Sequence, residues 1–212
     1  MLVRRFSTLL LVVAVFSTLS SAQKADVSFV VGGAFVSEDH VAPGVTCTVS
    51  CPLAFNFRTD THVFYEGTGA IRLANFRVAS LHLEVPVSGI PSAKVVFSET
   101  PSLNALKISS VFVTPSLRVK FAPGFPVSPW ASIGGGWAHY HLAGPSENKG
   151  ALQFGGGVDI KTGIPLLGFR AEVRDFVTGQ PDFGILSIQT VGSQSLGRRH
   201  NVLAGGGIVL RF

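Results

Sequence analysis

The period that recurs along this chain is two. In residues 79–87, Leu81, Leu83 and Val85 alternate with Ser80, His82 and Glu84. In 169–177, Phe169, Ala171, Val173 and Val177 alternate with Arg170, Glu172 and Arg174. The same separation sets Leu152, Phe154, Val158 and Ile160 against Gln153, Asp159 and Lys161, and Val63, Tyr65, Ile71 and Leu73 against Glu66, Thr68 and Arg72. Strands send successive side chains to opposite faces, whereas a helix would mix these sets. Eight strands are predicted, over 25–36, 63–73, 78–87, 108–121, 130–141, 151–161, 167–178 and 200–212.

Composition says what surrounds these strands. Only 14% of the residues are charged and 46% are hydrophobic, where a soluble domain carries roughly 25% charge. The longest strongly apolar run, residues 9–16, is far short of the ~20 residues a spanning helix needs. Residues 121–146 lack Asp, Glu, Lys and Arg, but Pro123, Pro126, Pro129 and Pro145 exclude a helix there. Connections alternate in length. Those at 74–77, 122–129 and 162–166 are short, and those at 37–62, 88–107, 142–150 and 179–199 are longer. Short turns at one end and longer loops at the other are the pattern of an outer-membrane barrel. The predicted fold is therefore all-β, an eight-stranded antiparallel up-and-down transmembrane β-barrel.

Such a barrel inverts the usual faces, with the apolar set toward lipid and the charged set in the lumen. On the lipid side each mid-depth Arg or Lys would cost roughly 2–4 kcal/mol. Inward placement gives a lumen charge network of Glu66, Glu84, Asp159 and Glu172 with Arg118, Arg170 and Arg174. Counting from the short turns puts Arg72, Lys120, Lys161 and Arg211 near one rim, solvated by water or headgroups. Loss of one partner, as in Glu172→Ala, is expected to strand a guanidinium at a cost on the order of 3 kcal/mol. Eight strands leave room only for side chains, so negligible ion conductance follows. Pro115 removes a ladder donor within the fourth strand, where a bulge or break is expected. The facing of 130–141 stays open.

At the N-terminus, Arg4 and Arg5 precede the apolar run, and Ser20-Ser21-Ala22 follows. This charged, apolar, small-residue order predicts a signal peptide over 1–22 and a barrel domain over 23–212. Removal of Arg4 and Arg5 lowers the formal charge from +5 to +3. The remaining charges are scattered, which gives nucleic-acid binding no support. Export to an oxidising compartment makes Cys47 and Cys51, both in the first long connection, a disulfide candidate closing a small ring.

The C-terminal strand, residues 200–212, carries a resemblance. Val202, Ala204, Gly206, Ile208, Leu210 and Phe212 share one face, and the chain ends on an aromatic. This looks like the C-terminal insertion signal of bacterial outer-membrane proteins. With Phe64-Tyr65-Glu66-Gly67-Thr68-Gly69-Ala70, the pattern resembles the small OmpA-like outer-membrane barrel proteins over nearly all of residues 25–212. The resemblance implies an outer-membrane location, lipid as the surrounding partner and a monomer. It also implies recognition by the barrel assembly machinery through Ile208, Leu210 and Phe212. It is specific for class and weak for activity.

Apparent chemical motifs have structural readings. The glycine triplets 134–136, 155–157 and 205–207 lack the following Lys-Ser or Lys-Thr of a phosphate loop. Glycine there instead lets a tightly curved sheet close and gives large neighbours room. His139 and His141 share a strand face near a loop, yet no nearby Cys or carboxylate completes a zinc set. No His-x-Ser pair and no Ser or Asp grouping with His supports a match to the barrel hydrolases. No catalytic, metal or cofactor residue is assigned. The expected function is a non-enzymatic outer-membrane barrel with a structural or surface-interaction role and an unidentified extracellular partner. A narrow channel, a barrel hydrolase and a soluble lipocalin-like barrel are the alternatives.

Overall fold

The structure, a computed structural model, describes residues 25–36, 62–95, 106–142, 144–164, 166–179 and 198–212. The predicted leader (1–22) and the Cys47–Cys51 pair lie outside the described residues. Nine strand segments form one antiparallel sheet: β1 (Ala25–Val36), β2 (His62–Asn75), β3 (Ala79–Val95), β4 (Leu106–Val113), β5 (Ser116–Phe121), β6 (Val127–Leu142), β7 (Ser146–Lys161), β8 (Leu167–Gly179) and β9 (Arg198–Arg211). Segments β4 and β5 both lie between β3 and β6, so they are two halves of one strand. The first segment pairs with the last, from Asp26↔Arg211 to Val36↔Asn201. That pairing closes an eight-stranded barrel with no free edge.

The break in the fourth strand falls at Thr114 and Pro115. On β3 the ladder resumes at Glu84↔Ser116 and Val87↔Val113, so Pro86 occupies the same gap. Two prolines, each without a donor, thus share a single interruption. Thr114 N–H donates to the Pro86 carbonyl at 3.4 Å, and Gly135 N–H to the Pro115 carbonyl at 3.2 Å.

Expected connections shorten where strands run further than predicted, as at 122–129, where β6 already starts at Val127. β6 runs to Leu142 and β7 starts at Ser146, so most of the loop expected over 142–150 is ladder, paired as far as His141↔Ser146. β3 likewise continues to Val95. Above the apolar band a strand has no lipid to face. Ser146, Glu147, Asn148 and Lys149 therefore pair in the ladder without an apolar face to announce it.

Outward positions are apolar along the wall: Val27, Phe29 and Val31 on β1, Leu83, Val85 and Val87 on β3, Phe169 and Val173 on β8. The strand whose facing was open turns Ile133 and Trp137 outward and Trp130, Ser132, Ala138 and Tyr140 inward. Inside there are two tiers. Nearer the long connections, Phe64, Ile90, Phe112, Tyr140, Phe176 and Leu203 form an apolar core. Phe112 stacks on Phe176 at 4.8 Å and meets Tyr140 edge-on at 6.0 Å. Below it lie the charges. Sequence alternation did not reveal this apolar tier, because an apolar residue reads the same whether it faces lipid or lumen.

Glycines decide how tightly the wall closes. A Cβ at Gly157 would lie 2.9 Å from the Trp130 ring, and one at Gly205 2.9 Å from the Phe64 ring. At Gly207 it would meet the Phe29 carbonyl across the closing β1–β9 ladder, whereas at Gly69 it would meet nothing within 4 Å. Gly207→Ala is therefore expected to cost roughly 1–3 kcal/mol by overpacking, and Gly69→Ala to be tolerated. The heat-dependent gel mobility of the folded barrel, read across a urea series, checks this. Equal midpoints for the two variants would contradict the closure geometry.

Candidate functional site

The polar tier of the lumen is the largest gathering of chemistry-bearing side chains among the described residues. It is assembled from β1, β2, β3, β5, β6, β7 and β8, each contributing alternate inward positions. Arg174 is its centre. Its Nε lies 2.9 Å from Glu66 Oε1, its Nη1 2.8 Å from Glu84 Oε1, and its Nη2 3.4 Å from Glu172 Oε2. Arg118 bridges outward from this cluster, with Nη1 3.1 Å from Glu84 Oε2 and Nη2 3.1 Å from Asp26 Oδ2. A second cluster sits closer to the short turns. There Asp159 takes Arg170 Nε at 2.8 Å and Lys120 Nζ at 2.6 Å.

Hydroxyls satisfy much of the remaining oxygen capacity. Thr68 and Ser88 donate to the two Glu66 oxygens at 2.9 and 2.7 Å. Ser116 donates to Glu84 at 3.3 Å, and Ser28 accepts from Arg170 at 3.0 Å. Buried charges persist only where such partners exist, because an unpaired ion in a low-dielectric interior costs several kcal/mol.

All seven residues assigned to the network lie inside and are brought together. Trp130, Asp26 and His82 are among the inward residues that escaped assignment. The guanidinium carbons of Arg118, Arg170 and Arg174 lie 5.6, 5.2 and 5.1 Å from the Trp130 ring centroid. A ring face among three cations adds attraction where like charges would otherwise repel. Strand facing alone would have found Trp130. Glycine blurred the alternation around it.

Lys120 corrects an expectation. Counting residues placed it at a solvated rim, but it is buried and bound to Asp159. The long stem of lysine lets its ammonium reach a carboxylate on another strand, which a residue count along one strand cannot register. Lys161 stays exposed and donates to the Pro123 carbonyl at 2.7 Å, while Arg211 comes within 3.8 Å of Asp159. His139 and His141 face outward, His139 sharing a hydrogen bond with Asn148 at 2.8 Å. Among the described residues no three metal-ligating side chains converge.

The structure also assembles a grouping that the linear sequence hides. Ser80 Oγ lies 2.9 Å from His82 Nε2, and His82 Nδ1 lies 3.9 Å from Asp26 Oδ2. The residue types are those of a nucleophile, a base and an orienting carboxylate. The arrangement does not perform that chemistry. The His–Asp distance exceeds a hydrogen bond, Asp26 is held by Arg118, and Ser80 is 1% exposed, which leaves a substrate no approach.

No family model and no curated protein matches the sequence. Among solved structures the chain is similar to Neisserial surface protein A, with 13% identity over 91% of this chain and 98% of that one, at a TM-score of 0.45. Ail, the attachment invasion locus protein of Yersinia pestis, is 12% identical over 91% of this chain and all of its own, at 0.45. The outer membrane protein OprG from Pseudomonas aeruginosa is 10% identical over 90% and 95%, at 0.49. These are small outer-membrane barrels. The fold of the present chain rests on its own closed ladder.

Arg174 holds three carboxylates at once, which revises the expected effect of Glu172→Ala. That variant leaves Arg174 with Glu66 and Glu84, so no guanidinium is stranded. Arg174→Met instead leaves three buried carboxylates without their common partner. Its expected cost is about 3–5 kcal/mol, clearly more than that of Glu172→Ala. Urea unfolding of the two variants in detergent micelles checks the order, and an equal or reversed order would contradict the cluster.

Proposed function

We propose that this protein is a non-enzymatic barrel of the bacterial outer membrane, with a structural or surface-interaction role carried by its long connections. The observation behind this reading is the inverted wall: exposed Val, Leu, Ile and Phe side chains around the outside and paired Arg, Lys, Asp and Glu inside. In water such a wall would be a continuous apolar patch far larger than monomeric proteins tolerate. In a bilayer it is the stable arrangement, because the ladder leaves no strand edge unpaired. Export through a cleaved leader over 1–22 belongs to the same proposal. So does assembly through Ile208, Leu210 and Phe212, whose side chains all face outward on the closing strand.

The alternatives fare less well on physical grounds. A channel needs an open bore, and this one is filled by the ion-pair clusters and the Phe112–Phe176 stack. Among the described residues the Ser–His–Asp grouping is built on the inaccessible Ser80, which gives a hydrolase no support. A lipocalin-like barrel would need its apolar face inside and a charged face outside.

Cell fractionation followed by planar-bilayer recording tests the reading. The protein is expected to leave the membrane only with detergent and to give no large, stable openings. Release in the soluble periplasmic fraction would overturn the membrane assignment. Large single-channel openings from the purified protein would replace the structural role with a channel.

A further inference from the structure

The three short turns carry large apolar side chains where turns ordinarily carry Gly, Asn, Asp or Ser. Phe76 and Val78, Phe125, and Ile164 and Leu166 are all exposed, Val78 at 73% and Phe125 at 67%. Phe212 joins them at the same end. Leu166 sits at a φ of 69°, a left-handed conformation that Gly or Asn enters readily and leucine does not. The chain thus keeps an exposed leucine where a polar turn residue would be less strained.

These turns are tied into one rim rather than projecting singly. Ala122 N–H donates to the Val78 carbonyl at 2.9 Å, Lys161 N–H to Pro126 at 2.7 Å, and Arg211 N–H to Leu166 at 2.8 Å. Phe212 N–H donates to Ala25 at 2.8 Å.

Among the described residues the exposed charged side chains at this rim are basic. Asp26 and Asp159 are its acidic side chains among the described residues, and both are turned inward onto Arg118, Lys120 and Arg170. Arg77 and Lys161 are exposed, Arg72 and Arg211 half-buried. Nε and Nη2 of Arg211 are buried, Nη2 3.8 Å from Asp159, so Arg77 and Lys161 are the cations this rim presents outward.

We infer that the short-turn rim is a seat for anionic phospholipid headgroups. Its apolar side chains enter the boundary between headgroups and acyl chains, and its cations meet the phosphates. The distribution of the side chains over all three turns suits a belt of lipids around the barrel better than one docked protein. The inference rests on the outer-membrane reading and adds which lipid chemistry the barrel prefers and where.

The test uses the purified full-length protein in two vesicle preparations, one of phosphatidylcholine alone and one containing a third phosphatidylglycerol. Lipid retained after mild detergent extraction is measured by native mass spectrometry. Phosphatidylglycerol is expected to be enriched over its share. Arg77→Gln and Lys161→Gln should each lower that enrichment about fivefold, the weight of one cation at a membrane surface. Leu166→Asn, which suits the left-handed turn, should keep the folded gel mobility while exposing the turn to a water-soluble probe. Enrichment that is absent, or unchanged in both charge variants, overturns the inference. So does a turn that is equally water-accessible in wild type and Leu166→Asn. Failure to insert into either preparation would instead overturn the membrane reading beneath it.

Discussion

The pairing of β1 with β9 is the constraint on which everything else depends. It joins the two ends of the sheet over Asp26↔Arg211 to Val36↔Asn201, so every strand has a neighbour on each side. Only with the ladder closed can the outer wall be apolar, since no backbone donor or acceptor is left facing hydrocarbon. Closure at eight strands also fixes how much can fit inside. The bore holds side chains and little more, so its contents must be packed as closely as a soluble core. Gly207, beside the Phe29 carbonyl, and Gly157, beneath Trp130, meet that demand where any Cβ would obstruct it.

What fills the bore follows from this geometry. Inward positions near the long connections take aromatic and aliphatic side chains, and those near the short turns take ions. The ion pairs are poor evidence of net stability, because desolvation offsets most of their attraction. Their physical consequence is mutual dependence. Arg174 serves Glu66, Glu84 and Glu172 together, and Glu84 in turn holds Arg118. Removing Arg174 leaves three carboxylates that no water can easily reach, whereas removing Glu172 leaves Arg174 paired with Glu66 and Glu84. The Trp130 ring lies against all three guanidinium groups and lets them share a small volume.

Much of this was legible in the sequence, and the parts that were not have identifiable causes. Strict alternation of Arg170, Glu172 and Arg174 with Phe169, Ala171 and Val173 revealed both strand and facing. Pro115 announced its own break, but nothing linear showed that Pro86 would share it. The far end of β3 and the start of β7 were missed because a strand beyond the apolar band needs no apolar face. Trp130 was missed because glycines on both faces of β6 and β7 erase the alternation. Lys120 and the Ser80–His82–Asp26 grouping depend on which strands face each other across the bore, which periodicity does not encode.

The two tryptophans offer the most direct measurement of the central claim, that the wall faces lipid and the charged set faces inward. Trp137 is 51% exposed on the outer wall, whereas Trp130 is 3% exposed among the arginines. Trp130→Phe and Trp137→Phe each leave a single indole to report its surroundings. In vesicles of lipids brominated along the acyl chain, the account predicts strong quenching of Trp137 and little quenching of Trp130. Quenching of Trp130 as strong as that of Trp137, or an unquenched Trp137 in protein that has inserted, would contradict it.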